Sequence, residues 1–377
     1  MIVYCSYDGR YSDSPRAIYE GQSRKVRSEH VWLCDPGHRS GFPIDALTVT
    51  YGSRAARAAL ESAELVIANT HIEMEWDKPA GARYLQTWHG TPLKRVHRDV
   101  FWAPAGRLAR LDHDVARWDY LLSPNAASTP RLRSAFRFPG EVLESGYPRN
   151  DVLLSPRSPL VRARVRASLG LSEDTTAVLY APTWRDDQYF ADGSPQIDLA
   201  LDVDAFLDEL GEDHTLLTRL HYMMTDRLAP RPERGGQHVR VRDVSRHPDM
   251  QELYLAADVL ITDYSSSMFD FAITGKPLIF YTYDLESYRD SLRGFYFDFE
   301  PVAPGPLLRS TAEVLGALRD LPSVRSDYAM RYAAFQDTFC HLDDGHATER
   351  LRWLTDLGRR PEQHGHAQKP GQETVLT

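Results

Sequence analysis

Three serines in a row, Ser265, Ser266 and Ser267, stand between Asp263 and Asp270 and form the segment with the clearest chemical meaning. Residues 258–261 before it are largely apolar, and residues 271–281 after it return to an apolar run. The pattern reads strand, hydroxyl-rich turn, short helix, second strand. A serine cluster at a helix start brings backbone N–H groups, hydroxyls and the positive end of a helix dipole to one point, which suits a phosphate or pyrophosphate. A plain capped helix uses the same residue types, with Asp263 as cap or hydroxyl-orienting group and Asp270 about one turn after Ser266.

Three further places carry reactive side chains. His89 follows the β-rich residues 84–86 and precedes Gly90 and Pro92. A histidine there faces the carboxyl end of its strand in a tight turn, and its ordinary pKa near 6.5 suits general acid–base work. Lys94 and Arg95 lie just beyond it and are suited to an anionic acceptor. A surface histidine with solvated basic neighbours fits the same spacing. Arg185 ends the run 180–185, where an apolar strand meets proline and tryptophan, and an arginine can grip phosphate with two parallel hydrogen bonds. His221 follows the β-rich run 215–218, a position equally consistent with a half-buried packing histidine.

These residues must be held by elements that alternate between strand and helix. Strands are expected at 2–6, 31–34, 46–50, 65–69, 84–88, 120–123 and 142–144, and again at 177–180, 215–218, 239–242, 259–261 and 278–281. Helices are expected at 53–62, 105–117, 126–136, 160–169, 203–210, 250–256, 266–274, 312–321 and 325–339. Two such series predict two parallel-sheet α/β domains. The double-proline stretch 154–159 separates residues 1–154 from residues 155–357, and the polar tail 358–377 reads as disordered. In doubly wound sheets ligands bind at the carboxyl ends of the strands, which points to one shared cleft.

The chain has 377 residues and a net charge of −9, which argues against general nucleic-acid binding. Its three cysteines, Cys5, Cys34 and Cys340, lack metal-ligand pairing and suggest a reducing cytoplasm. No run approaches the ~20 apolar residues of a membrane span, and the first residues lack the character of a signal peptide. Membrane contact is therefore expected only at the periphery. Residues 101–118 mix Phe101, Trp102 and leucines with Arg107, Arg110 and Arg117, which fits either a membrane-interface segment or a packed amphipathic helix. No P-loop, G-x-G-x-x-G, H-E-x-x-H or G-x-S-x-G motif is present.

Seven segments, at 87–95, 145–151, 180–185, 219–222, 260–284, 293–299 and 343–347, match one family in order. On TWHGTPLKR, SGYPRND, YAPTWR, RLHY, LITDYSSSMFDFAITGKPLIFYTYD, RGFYFDF and DDGHA, the chain resembles the CDP-glycerol:poly(glycerophosphate) glycerophosphotransferases of teichoic-acid synthesis and the related ribitol-phosphate enzymes. The resemblance implies a GT-B-like α/β fold, two Rossmann-type domains with parallel sheets facing a central cleft. It implies transfer of glycerol phosphate or ribitol phosphate from a CDP-activated donor to an acceptor hydroxyl, with release of CMP.

By the same resemblance the N-terminal domain binds the acceptor and the C-terminal domain the CDP-glycerol or CDP-ribitol donor. His89 and His221 are then the catalytic pair. Thr183, Arg185, Arg219, Asp263, Ser265, Ser266 and Asp270 belong to the donor and phosphate site, with Lys94 and Arg95 toward the acceptor. No metal and no tightly bound cofactor are implied. The acceptor would be a polyprenyl-linked saccharide or polyol phosphate at the inner face of the cell membrane. Many members carry an N-terminal extension, whereas here the first expected strand begins at residue 2, so primase and polymerase both remain open. A GT-B glycosyltransferase using a nucleotide sugar shares the expected fold and is the alternative. A non-catalytic assembly partner is a third reading, against which both histidines and the complete serine turn count.

Overall fold

A computed structural model describes residues 1–21, 29–183, 199–220, 240–292 and 294–355. Seven strands make the first sheet: β1 (Ile2–Cys5), β2 (His30–Cys34), β3 (Thr48–Thr50), β4 (Leu65–Ala68), β5 (Arg83–Gln86), β6 (Tyr120–Ser123) and β7 (Glu141–Glu144). Six make the second: β8 (Thr176–Tyr180), β9 (His214–Thr218), β10 (Val241–Asp243), β11 (Val259–Thr262), β12 (Leu278–Tyr281) and β13 (Leu307–Leu308). All pairings within both sheets are parallel.

The first sheet runs β3-β2-β1-β4-β5-β6-β7 and the second β10-β9-β8-β11-β12-β13. Both therefore start from a central strand, wind one way, then reverse. The reversal leaves a crevice between β1 and β4 in one sheet and between β8 and β11 in the other, where open α/β sheets bind ligands.

Strand alternation explains how each sheet is covered on both faces. In β1, Val3 and Cys5 join a core with Val31, Leu33 and Val66, whereas Ile2 and Tyr4 join Trp32, Leu65 and Ile67 on the opposite face. In the second sheet Leu179, Leu260 and Leu278 pack on one side, and Val178, Ile261 and Ile279 on the other. Full burial of such side chains contributes about 1.5–3 kcal/mol each, which fixes register against a one-residue slip.

The chain crosses between the halves twice, and the crossings are laced together. The first runs through the turn Pro148–Asn150 and the helix Asp151–Leu154 into the helix Ser158–Ser168. The second leaves the helix Ala329–Phe339 and enters the helices Ala347–Arg350 and Arg352–Thr355. Tyr147 N–H and Asn150 Nδ2 both donate to Asp343 Oδ1, at 3.0 and 3.1 Å. Asp151 accepts from the N–H groups of Ala347 and Thr348 at 2.9 and 2.8 Å. Gly146 has φ +74°, and an added Cβ would lie 2.6 Å from the Leu342 carbonyl oxygen, so this close approach demands glycine.

The second crossing carries the end of the described chain back to the first half. Leu351 and Leu354 pack in the core with Ile2, Tyr4 and Trp32, and Arg83 donates to the Leu354 carbonyl at 3.1 Å. Residues grouped by sequence into one C-terminal unit, 155–357, thus contribute to both cores.

Candidate active site

The carboxyl ends of both sheets converge on His89. β5 delivers the histidine through Trp88, which adopts φ 54°, a costly left-handed conformation for a bulky residue. Trp88 N–H donates to Gln86 Oε1 at 2.9 Å, and its ring centroid lies 4.1 Å from that of His89.

His89 Nδ1 lies 2.7 Å from the backbone carbonyl oxygen of Asn69, the first residue after β4. A carbonyl only accepts, so Nδ1 carries the proton and Nε2 keeps its lone pair. Burial pushes the imidazole pKa down to about 4, opposed by the Asn69 hydrogen bond and Asp13 and reinforced by Arg149 and His71. His89 is therefore neutral at neutral pH, with the lone pair on Nε2.

The serine turn reaches this histidine from the other half. A Cβ on Gly90 would stand 2.7 Å from Ser266 Oγ, so the absence of a side chain lets the two loops meet. The turn differs from a plain capped helix. Ser266 occupies the cap position of the helix Ser267–Ala272 without a side-chain cap bond. Ser265 Oγ accepts from Ser267 N–H at 3.3 Å. Asp263 instead accepts from Thr183 N–H at 2.8 and 3.1 Å, and from Tyr264 N–H at 2.6 Å. Its carboxylate thus ties the loop after β8 to the loop after β11 and holds Thr183 at the second crevice.

Asp270 faces different partners. Its oxygens accept from Arg149 Nε at 3.0 Å, Arg149 Nη2 at 3.2 Å and Asn150 Nδ2 at 3.1 Å. Arg149 also reaches Asp13 at 3.3 Å. Burial alone would lower the arginine's proton affinity, but Asp13 and Asp270 hold it well above its ordinary value. Beneath this group, burial pushes the Asp343 carboxyl up to about 7.

Arg219 donates from Nη1 to the carbonyl of Val244 at 2.7 Å and also to that of His247. Burial lowers its proton affinity, and the cation of Arg10, from the loop after β1, lowers it further. Two cations from opposite halves thus act on each other across the cleft.

Lys94 and Arg95 form the other rim. Lys94 pairs with Phe295 in an antiparallel bridge, and Arg95 N–H donates to the Gly294 carbonyl at 3.1 Å. The Arg95 guanidinium lies 5.4 Å from the Phe101 ring and 5.6 Å from that of Tyr296, within cation–π range. These three residues help line a cavity of about 690 Å³ between the halves. The segments 87–95 and 293–299 therefore meet across the cleft.

Thus His89, Thr183, Asp263, Ser265 and Ser266 gather at the crevices, and Lys94 and Arg95 at a neighbouring rim. Arg185 and His221 lie outside the described residues. Tyr7, Arg10, Asp13, Asn69 and Arg149 were missed by sequence reasoning. Arg149 stood inside a recognised segment, 145–151, whereas Asp13 had no such marker. Among the described residues no cluster of His, Cys, Asp and Glu has the makings of a metal site, and no helix is long and apolar enough to cross a membrane.

The paired parallel sheets with a cleft at their carboxyl ends define a GT-B-like protein. Residues 1–354 match the family described as CDP-Glycerol:Poly(glycerophosphate) glycerophosphotransferase, and the chain belongs to that family. It is 37% identical over 360 residues to the teichoic acid poly(glycerol phosphate) polymerase of Bacillus subtilis strain 168, covering 93% of this chain and 48% of that protein. It is 36% identical over 364 residues to the polymerase of the same name from Bacillus spizizenii, covering 93% of this chain and 90% of that one. The chain therefore spans about half of one relative and nearly all of the other. A solved structure of the wall teichoic acid polymerase TagF superposes with a TM-score of 0.84 at 36% identity, covering 94% of this chain and 88% of that one.

Proposed function

We propose that the protein transfers glycerol phosphate from CDP-glycerol to a hydroxyl on a growing teichoic-acid-type polymer. The observation that carries this reading is the approach of the serine turn to Gly90, which sets a phosphate seat beside a neutral histidine with Nε2 open. In the reaction the acceptor O–H gives its proton to His89 Nε2, and its oxygen forms a bond to the distal phosphorus. The bond from that phosphorus to the bridging oxygen breaks, and CMP leaves with the electron pair. Charge on the diphosphate is met by the Ser265 and Ser266 hydroxyls and by the facing cations Arg10 and Arg219.

Two comparisons support the donor and the direction of transfer. TagF has also been solved after soaking with CDPG. The relatives named for glycerol phosphate polymerisation match at 37% and 36% over 93% of the chain, whereas a ribitol-phosphate polymerase matches at 30% over 58%. This favours glycerol over ribitol.

The acceptor enters past Arg95, whose side chain faces the cavity beside Phe101. Phe101 and Trp102 are 62% and 78% exposed, which supports contact with a lipid surface carrying the acceptor. Release of CMP from CDP-glycerol and CDP-ribitol, measured with a glycerol-phosphate-primed acceptor, tests the proposal. Activity with CDP-glycerol is expected; release from neither donor sinks it. Flotation with anionic liposomes tests the lipid contact, and loss of flotation is expected for Phe101→Ser with Trp102→Ser.

A further inference from the structure

The loop after β1 is built at a conformational cost that packing alone does not explain. Tyr7, Asp8 and Asp13 adopt φ 43°, 59° and 61°, and Trp88 beside His89 adopts φ 54°. None is glycine, and each such residue costs on the order of 1–3 kcal/mol unless its surroundings compensate. Three of these strained residues, Tyr7, Asp13 and Trp88, act on one imidazole, that of His89.

Three separate hydrogen bonds, through the residues Asn69 and Tyr7, tie the neighbourhood of that imidazole to Asp13. His89 Nδ1–H donates to the Asn69 carbonyl at 2.7 Å. Asn69 Oδ1 accepts from Tyr7 N–H at 3.0 Å, and the Tyr7 hydroxyl donates to Asp13 Oδ2 at 3.0 Å. The Tyr7 ring packs edge-on to His89, with centroids 5.6 Å apart. Ser14 N–H donates to the other oxygen, Asp13 Oδ1, at 2.6 Å. Arg149 holds the carboxylate from behind and reaches on to Asp270, in the helix that follows the serine turn.

We propose that Asp13 is a positioning residue for His89, holding a negative charge where the imidazolium forms as Nε2 takes the acceptor proton. This rests on the reading of His89 as the base. The charged and titratable groups facing His89 are Asp13, Arg149, His71 and Tyr7; of the three with the largest electrostatic effect, Asp13, Arg149 and His71, Asp13 is the one that favours the protonated ring. Without it, the new imidazolium would face Arg149 with one of that cation's two counter-charges, Asp13 and Asp270, removed.

The test compares the full chain with Asp13→Asn, His89→Gln and the double variant, using CMP release from CDP-glycerol and donor binding by calorimetry. Asp13→Asn is expected to lower kcat about 10-fold or more, less than the roughly 10²–10⁴-fold loss of the general base itself, and to leave the donor Kd unchanged. In the His89→Gln background it should cause no further loss. An equal loss in that background, or an unchanged kcat in the parent background, overturns the proposal.

NMR titration of His89 without donor gives an arm independent of catalysis. Protonation should begin at lower pH in Asp13→Asn than in the parent, and an identical onset overturns the proposal. A parent that releases no CMP from CDP-glycerol defeats the functional reading, while this titration still decides the role of Asp13. If Asp13→Asn does not fold, Tyr7→Phe removes the hydroxyl aimed at Asp13 Oδ2. A smaller loss of kcat that vanishes in the His89→Gln background is then expected, and a loss that persists there overturns the proposal.

Discussion

The two sheets share one winding order but build their crevices by different means. Among the described residues all six non-glycine residues with positive φ lie between Tyr7 and Arg137, in the first half. Strain there is combined with buried histidines, stacked rings and a long polar network. The second crevice uses relaxed backbone, a run of hydroxyls and one carboxylate that laces two loops together. The difference teaches that one fold can hold a rigid proton acceptor on one side and a hydroxyl cradle on the other. A base must be held in one tautomer and one direction, whereas a phosphate accepts hydrogen bonds over a broad surface.

The sharpest way to break this comparison is to remove His89, the base of the proposed reaction. His89→Gln should cut kcat by about 10²–10⁴-fold, as loss of a general base does, with CDP-glycerol affinity retained. A retained kcat would mean that the strained half serves structure alone. Removing the cradle should have the opposite signature. Ser265→Ala with Ser266→Ala should weaken donor binding by roughly 1.5–3 kcal/mol, typical of hydrogen bonds to a charged group, with acceptor KM unchanged. Calorimetry with CDP-glycerol and steady-state kinetics in the acceptor separate the two outcomes.

A smaller effect probes the seam between the halves. Gly90→Ala would bring a Cβ to 2.7 Å from Ser266 Oγ and 3.0 Å from its Cβ, so the turn must shift by a few tenths of an ångström. A loss of about 10-fold in kcat is expected from that misplacement, with little change in the melting temperature. Adding Ser266→Gly should recover part of it, since the obstructing side chain is gone. Failure of this rescue would place the Gly90 constraint elsewhere.

Much of this arrangement was legible in the residues. The expected strands at 120–123 and 278–281 coincide with β6 and β12, and the expected helix at 250–256 coincides with Met250–Ala256. Parallel strands buried on both faces read as short apolar runs, which is why they stand out. β13 has only two residues, Leu307 and Leu308, too few to show a period. The helix expected at 325–339 divides into Leu321–Asp327 and Ala329–Phe339 at Tyr328.

The serine turn and His89 were visible because short-range order marks them: strand, turn, reactive residue. Asp13 and Arg149 were not, because their meaning lies in contacts spanning 136 and 121 residues. The loop leading to Asp13 carries one glycine, Gly9, beside strained Tyr7 and Asp8, and so lacks the G-x-G-x-x-G pattern that usually announces a crevice. The return of Leu351 and Leu354 to the first core was hidden for the same reason: an amphipathic pattern names a face and does not name its partner.

The last prediction concerns stability and locates acid sensitivity in the first half. His97 is buried beside Phe136, its Nδ1 3.1 Å from the Ala135 carbonyl, with His71 stacked 5.3 Å away. Burial, then His71, push its pKa down to about 4, against the Ala135 hydrogen bond, which favours the charged ring. In the unfolded chain it titrates near 6.5. Above that pH both states are neutral and the residue contributes nothing to the pH dependence. As pH falls from about 6.5 to about 4 the unfolded state binds a proton that the folded state refuses, so stability is lost across that window. At 1.36 kcal/mol per unit the loss reaches on the order of 3 kcal/mol. His97→Gln cannot titrate, so its urea midpoint should decline less than the parent's between pH 6.5 and 4.5. Parallel declines in the two proteins would show that His97 is not a source of the acid sensitivity.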